Sequence, residues 1–258
     1  MGKFIDVDEN CIRNLIMSGL NSAEICKNLH ISRSVLFKRM KVIGISFKDY
    51  KYFNINIFDQ IDTEEKAYWL GFLYADGYVC GYHYQVELSL SSIDMDHLIK
   101  FKYFLNDVRD NSVIKTSKVK NRYSRARYII GDRHFHEKLV ELGCVPNKSL
   151  ILKFPDKTIF SSENLIFDFI RGYIDGDGCL YSNKGRLAID ITGTDQFLEG
   201  IRGYFPEFST PKKDSRSNCY RITCSHRNAD IISKRLYENS SIYLTRKYLK
   251  FAELCRNI

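Results

Sequence analysis

Trp69-Leu70-Gly71-Phe72-Leu73-Tyr74-Ala75-Asp76-Gly77 and Phe169-Ile170-Arg171-Gly172-Tyr173-Ile174-Asp175-Gly176-Asp177-Gly178 are two versions of one phrase. Gly71 and Gly172, Asp76 and Asp177, and Gly77 and Gly178 each stand 101 residues apart. A repeat of that period decides the architecture. Gly71 with Ala75, and Gly172 with Gly176, place small residues four apart on one helix face. Glycine inside a helix costs ~1 kcal/mol relative to alanine, and close packing of the two helices along these four positions offsets that loss. Gly77 and Gly178 are expected as left-handed caps. Asp76 and Asp177 then meet at two helix C-termini, where the helix dipole and their mutual repulsion disfavour both charges. A divalent cation resolves the conflict. Carboxylates, the neighbouring backbone carbonyls of Ala75 and Gly176, and phosphate oxygens are the hard ligands that Mg²⁺ prefers. A single Asp-Gly is an ordinary helix end, but two in register are hard to explain that way.

The similarity extends downstream. Leu88-Ser89-Leu90-Ser91-Ser92-Ile93-Asp94 matches Ile189-Asp190-Ile191-Thr192-Gly193-Thr194-Asp195 at the same period, and Lys148 and Lys247 lie 99 apart. Val86, Leu88 and Leu90, and Leu187, Ile189 and Ile191, alternate with mostly polar residues as half-buried strands do. Each repeat reads as a motif helix, two strands, a helix opened at Asp94 or at Thr194/Asp195, two basic strands and a further helix over 132–142 or 228–237.

The net charge is +8, from 39 Lys and Arg against 31 Asp and Glu. It is concentrated: 115–133 carries +6, 31–51 carries +5 and 212–227 carries +4, leaving the remainder of the chain at −7. Clustered positive charge on an otherwise acidic chain points to a polyanion, nucleic acid first. Arg125 and Arg127 share a strand face, with Lys115, Lys118, Lys120 and Arg122 on the preceding strand or its turn. Lys212, Lys213, Arg216 and Arg221 are their counterparts in the second repeat. Arginine suits guanine edges and lysine more often touches phosphate. Binding through many phosphates falls steeply with salt.

Residues 8–43 read as three short helices, with Asp8, Ser22 and Ser32 as caps and Gly19 and Gly44 as stops. Ile25, Leu29, Ile31, Val35, Leu36 and Met40 form their expected core. The Ser22-Ala23-Glu24-Ile25 start, the Ile31-Ser32 turn and the basic third helix resemble a helix-turn-helix. In that motif Arg33, Ser34, Lys38 and Arg39 face the major groove. A three-helix protein-contact module is the competing reading, which the local positive charge disfavours.

Other classes fit poorly. The chain of 258 residues has four prolines and no low-complexity tract. Its longest apolar run, around 67–75, is far short of the ~18 residues of a membrane span. Its start turns acidic where a signal peptide would be apolar. An intracellular location without membrane association is expected, in cytoplasm, nucleoid or organelle. The eight cysteines include no CxxC pair and read as free thiols. Cys219, Cys224 and His226 are too few for a structural zinc.

From about residue 60 onward the sequence resembles the LAGLIDADG homing endonucleases of the single-chain, two-repeat kind. The motif glycines and acidic residues, Pro146-Asn147-Lys148-Ser149 and Leu244-Thr245-Arg246-Lys247-Tyr248 carry the likeness. Both motifs depart from the family at their first positions. The resemblance implies an α+β fold of two pseudo-symmetric αββαββα repeats forming a DNA-binding saddle, here preceded by a small all-α helix-turn-helix domain. The expected boundaries are 1–44 for that domain, 45–62 for a linker, 63–155 for the first repeat and 156–258 for the second. It implies hydrolysis of both strands of a long asymmetric DNA site by a monomer, with Mg²⁺ or Mn²⁺ at Asp76 and Asp177. Lys148 and Lys247 would support charge on the phosphate, with Arg246 as the alternative to Lys247. Ser92 and Thr192 would orient water. A non-cutting relative acting as a DNA-binding regulator or RNA maturase is the runner-up. A recombinase lacks a nucleophile context, and an intein lacks room for a splicing module.

Overall fold

The helices and strands follow local rules that can be named one by one. The structure is a computed structural model that describes residues 8–47, 50–117, 124–215 and 218–255. It divides into two compact units. One comprises the described residues up to Ile55 with Lys102–Val113, and the other comprises Asn56–Phe101 with the described residues from Ile114 onward.

The first unit holds α1 (Glu9–Met17), α2 (Ser22–Leu29) and α3 (Arg33–Val42). Asp8 caps α1 by accepting from the Asn10 amide, and Ser32 caps α3 by accepting from the Val35 amide. The α2 cap is Asn21, not Ser22. Asn21 has extended backbone and accepts from the Ala23 and Glu24 amides, while the Glu24 carboxylate accepts from the Asn21 amide. Ser22 is already helical, so the reciprocal box forms one residue earlier. Ile12, Ile16, Ile25, Leu36, Met40 and Ile45 form the core, with Leu29 and Ile31 at its margin. Val35 does not join it and is 39% exposed. Leu36 and Met40, four apart, define the inward face of α3, and Val35 lies to its side. Lys102–Val113 belongs to this unit through specific contacts. Arg109 pairs with the buried Asp107 carboxylate, and a Cβ at Gly19 would meet Arg109 Cγ at 2.7 Å.

The second unit contains the two repeats. The first runs α4 (Glu64–Asp76), β1 (Gly77–Val79), β2 (Gln85–Ser91), α5 (Met95–Phe104, whose last turn enters the first unit), β3 (Lys115–Ser117), β4 (Arg125–Gly131) and α6 (Arg133–Glu141). The second runs α7 (Asn164–Asp177), β5 (Cys179–Asn183), β6 (Arg186–Gly193), α8 (Asp195–Tyr204), β7 (Lys212–Lys213), β8 (Tyr220–Ser225) and α9 (Arg227–Tyr237). It then adds α10 (Thr245–Cys255), where the first repeat has a 3-10 turn at Lys148–Leu150. The sheets are antiparallel with matching orders, β1-β2-β4-β3 and β5-β6-β8-β7. No helix among the described residues is long and apolar enough to cross a membrane.

α4 and α7 form the seam between the repeats. A Cβ at Gly71 would lie 1.9 Å from the Phe169 carbonyl oxygen, and one at Gly172 would lie 2.0 Å from that of Tyr68. At Gly176 it would lie 2.3 Å from the Ala75 methyl. Gly71 and Gly172 thus face the backbone of the opposite helix and Gly176 faces Ala75, with Tyr68, Phe72, Phe169 and Tyr173 buried. The expected left-handed caps do not occur. Gly77 (φ −70°, ψ 139°) and Gly178 (φ −76°, ψ 153°) are extended and lead straight into β1 and β5. Glycine is required there because a Cβ would crowd the carbonyls of Leu73 and Ile174, at 2.5 and 2.6 Å.

Candidate catalytic centre and nucleic-acid interface

The glycine-packed seam delivers Asp76 and Asp177 as the last residues of α4 and α7. A Cβ on Gly176 would be 3.4 Å from Asp76 Oδ2, which puts the Asp76 carboxylate beside the end of the opposite helix. Burial, and next the charge of Asp177, raise the Asp76 carboxyl to about 6 against the pull of Lys247, Lys148 and Arg246. Asp177 reaches the surface, yet the protein around it displaces enough water to raise its carboxyl as well. Lys148, Lys247 and the Tyr173 hydroxyl oppose that rise. Two carboxyls disfavoured as anions side by side are a fitting place for positive charge.

The two lysines occupy corresponding positions. Lys148 Nζ donates to the Gly77 carbonyl. Lys247 Nζ donates to the Gly178 carbonyl at 2.6 Å, and also to those of Ile174 and Gly176 at 2.7 and 3.1 Å. Each ammonium thus bonds the carbonyl of the glycine that follows its motif helix, and Lys247 adds two carbonyls of the last turn of α7. Burial lowers Lys247 to about 8, with Asp175 the strongest influence in the other direction. Arg246 points elsewhere and forms a two-bond ion pair with Asp94 at 2.9 and 3.0 Å. The Thr192 carbonyl accepts from the Tyr173 hydroxyl, and Ser92 opens the 3-10 turn before α5.

Among the described residues, no group of three or more His, Cys, Asp or Glu side chains could hold a metal ion. A cation between Asp76 and Asp177 would complete its shell with carbonyls, water or phosphate oxygens, which is the donor set that suits Mg²⁺. The Gly176 carbonyl already accepts from Lys247, so that ligand would be shared.

Sequence reading missed the side chains that hold the lysines in place. Tyr74 and Asp175 occupy the same motif position, 101 apart. The Tyr74 hydroxyl donates to the Leu142 carbonyl, tying down the segment that leads to Lys148. The fully buried Asp175 accepts from the Tyr68 and Tyr237 hydroxyls and from the Leu244 amide, at 2.8, 2.6 and 2.7 Å. The last bond fixes the start of α10, three residues before Lys247. His97 extends this network at 3.0 Å from the Tyr68 hydroxyl, and burial lowers it to about 3, leaving it neutral. Arg171 is enclosed by Glu64, Asp168 and the carbonyls of Leu236 and Ile242. The available signal was the pair of charged residues, Arg171 and Asp175, inside the second motif helix.

Away from this centre, each sheet turns one face inward and one outward. Val86, Leu88, Leu90, Ala126, Tyr128 and Ile130 line the inner face of the first sheet. Arg125 and Arg127 stand exposed on its outer face, with Lys115 registered opposite Arg127. In the second sheet, Arg221 lies outward on β8 and the exposed Lys212 and Lys213 form β7. Lys118, Lys120, Arg122 and Arg216 lie outside the described residues. On α3, Arg33, Ser34 and Lys38 are exposed and Arg39 is half-buried.

No protein-family model matches the sequence, and neither does any curated protein. Solved structures do match. The I-LtrWI LAGLIDADG homing endonuclease bound to target DNA is similar at a TM-score of 0.50 and 14% identity, over 79% of this chain and 90% of that one. The meganuclease I-SmaMI bound to uncleaveable DNA matches at a TM-score of 0.47 and 17% identity, over 74% and 87%. I-SmaMI bound to its uncleaved target with calcium ions matches at 0.44 and 14%, over 74% and 89%. With its two matching αββαββα halves joined along glycine-packed helices, the chain has the fold of the LAGLIDADG homing endonucleases.

Proposed function

We propose that the chain is a site-specific DNA endonuclease that hydrolyses one phosphodiester in each strand with Mg²⁺, for which Mn²⁺ can substitute, and that it works as a monomer with internal pseudo-two-fold symmetry. The observation that carries this reading is the pair of raised-pKa carboxylates, Asp76 and Asp177, each at a helix end with a lysine bonded to the carbonyl just beyond it. A bound divalent cation would supply charge neutralisation and an acidified water. Asp76 and Asp177 would hold it, with the Ala75 and Gly176 carbonyls as further ligands. Lys148 and Lys247 would set positive charge beside the phosphate as negative charge develops on it. The outward arginines and lysines of the sheets would read and grip the duplex. Arg33, Ser34, Lys38 and Arg39 on α3 would add a further major-groove contact and lengthen an asymmetric site. The likeness in fold to the I-LtrWI LAGLIDADG homing endonuclease bound to target DNA supports this reading.

One observation favours a non-cutting DNA-binding regulator: Lys247 and the Gly176 carbonyl are already bonded to each other. Incubation of a randomised duplex library with Mg²⁺ separates the two. Cutting at a selected site by the wild type, with binding but no cutting by Asp76→Asn/Asp177→Asn, is the expected result. Selected binding with no cutting by either protein, in Mg²⁺ or Mn²⁺, would establish the regulator.

A further inference from the structure

A surface built only to grip phosphates has no use for carboxylates, yet each sheet sets one on a central strand of its outer face beside an arginine. Glu87 on β2 lies 3.7 Å from Arg127 on β4, and Asp190 on β6 lies 3.7 Å from Arg221 on β8, whose guanidinium also has Asp214 at 3.6 Å. The registers make the two arrangements alike. Glu87 is opposite Ile129 and Asp190 is opposite Thr223, so in both sheets the arginine sits two residues before the position facing the acid. Repeat equivalence does not account for this, because Asp190 is one period from Ser89 and not from Glu87. Stability does not account for it either. The arginines are 51% and 43% exposed, and a solvated pair of this kind contributes only about 0–1 kcal/mol. At 3.7 Å neither head is committed to a close hydrogen bond. The Asp190 carboxylate is nonetheless aimed, since its Oδ1 accepts from the Tyr181 hydroxyl at 3.3 Å.

The geometry points to Glu87–Arg127 and Asp190–Arg221 as two base-reading pairs, one in each half of the site, each taking a guanine on the arginine and the amino group of a cytosine on the carboxylate. This rests on the reading of the sheets as the DNA interface. Arginine offers two donors to guanine O6 and N7, and a carboxylate accepts from cytosine N4. The 3.7 Å between the charged heads is close to the ~3.4 Å step between successive bases, so each pair can engage adjacent base edges. A carboxylate also repels phosphate. The two acids therefore weaken every binding mode in which no amino group is presented to them, which trades general affinity for discrimination.

The test is selection of bound duplexes from a randomised library in EDTA, so that binding is read without cutting. It compares the wild type with Glu87→Gln, Glu87→Ala, Asp190→Asn and Asp190→Ala. The expected wild-type site has one cytosine position in each half preferred about tenfold or more. E87Q lowers that preference at least fivefold in one half only and raises adenine there, since glutamine pairs with adenine N6 and N7. E87A lowers it without raising adenine. D190N and D190A do the same in the other half. All four bind unrelated DNA several-fold more tightly at low salt. A wild-type site that every variant selects with unchanged base preferences overturns the inference and leaves the endonuclease reading standing. A wild type that selects no sequence at all overturns both.

Discussion

Gly71→Ala adds one methyl group at the tightest point of the seam, and its cost follows from the structure. The new Cβ would sit 1.9 Å from the Phe169 carbonyl oxygen, 2.8 Å from its carbon and 3.0 Å from the Tyr173 nitrogen. All three obstacles are backbone, so no side chain can swing aside. Restoring an ordinary contact requires α4 and α7 to part by more than about 1 Å, and a gap of that size forfeits a quarter to a half of each contact's attraction. Tyr68, Phe72, Phe169 and Tyr173 would share that loss. Overpacking a core costs about 1–3 kcal/mol and sometimes more. Here it works against the ~1 kcal/mol that alanine gains over glycine in a helix. An all-backbone clash belongs at the upper end of that range, so a net loss of about 2 kcal/mol is expected, lowering Tm by roughly 4–8 °C for a chain of this size. Gly203→Ala in α8 is the control. Nothing lies within 4 Å of its Cβ position, so the helix gain of about 0.5–1 kcal/mol is unopposed. Urea unfolding followed by far-ultraviolet circular dichroism, compared at constant m-value, reads both. G71A as stable as G203A would refute the claim that backbone approach dictates glycine at this position.

Two further outcomes can be measured on the same protein. The folded Asp76 carboxyl, near 6 where the unfolded chain's lies at 3.8, binds its proton more tightly than the unfolded chain does. The contribution of this carboxyl to metal-free stability is therefore full below about pH 4 and is lost as the pH rises through 6. Mg²⁺ takes the proton's place, so it should raise Tm clearly at pH 7.5 and little at pH 5; equal shifts at both would remove this carboxylate as its site. Arg171→Met strips the buried guanidinium from Glu64, Asp168 and two carbonyls. Breaking such an arrangement costs about 3–5 kcal/mol, read by urea unfolding, and a loss below about 1 kcal/mol would show that water replaces the arginine freely.

What could be read from the residues was whatever is local or repeated. The 101-residue period located both motif helices, and period-two alternation located β2 and β6 together with their buried faces. The small residues at Gly71, Ala75, Gly172 and Gly176 indicated a close helix contact because nothing else explains glycine in mid-helix. The caps were less legible. Asn21 and Ser22 are both good capping residues, and only backbone geometry decides between them. Gly77 and Gly178 pointed to a left-handed turn because that is the commonest reason for glycine at a helix end, whereas crowding by the helix's own carbonyl proved to be the cause. The polar networks were the least legible. Asp175 finds Leu244 and Tyr68 at separations of 69 and 107 residues, and Arg171 finds Glu64 at 107. No local pattern encodes such distances. The attachment of Lys102–Val113 to the three N-terminal helices was likewise invisible, since the contact of Gly19 with Arg109 joins residues far apart in sequence.

The Glu64–Arg171 bond also governs which halves can join. One repeat period from Glu64 stands Leu165, and one period from Arg171 stands Leu70, both buried. The seam is therefore ionic on one flank and apolar on the corresponding flank across the pseudo-dyad. Two first repeats from different molecules would set Glu64 against leucine on both flanks. Two second repeats would set Arg171 against leucine, leaving it Asp168 as its one acidic partner. Depriving the buried Arg171 of a counter-charge costs several kcal/mol, and the partly exposed Glu64 loses its partner at a smaller cost, while the unlike pairing within one chain satisfies both flanks. A protein whose duplicated halves share so much backbone geometry is at risk of exchanging them with its neighbours, and this asymmetric contact biases each molecule toward closing on itself.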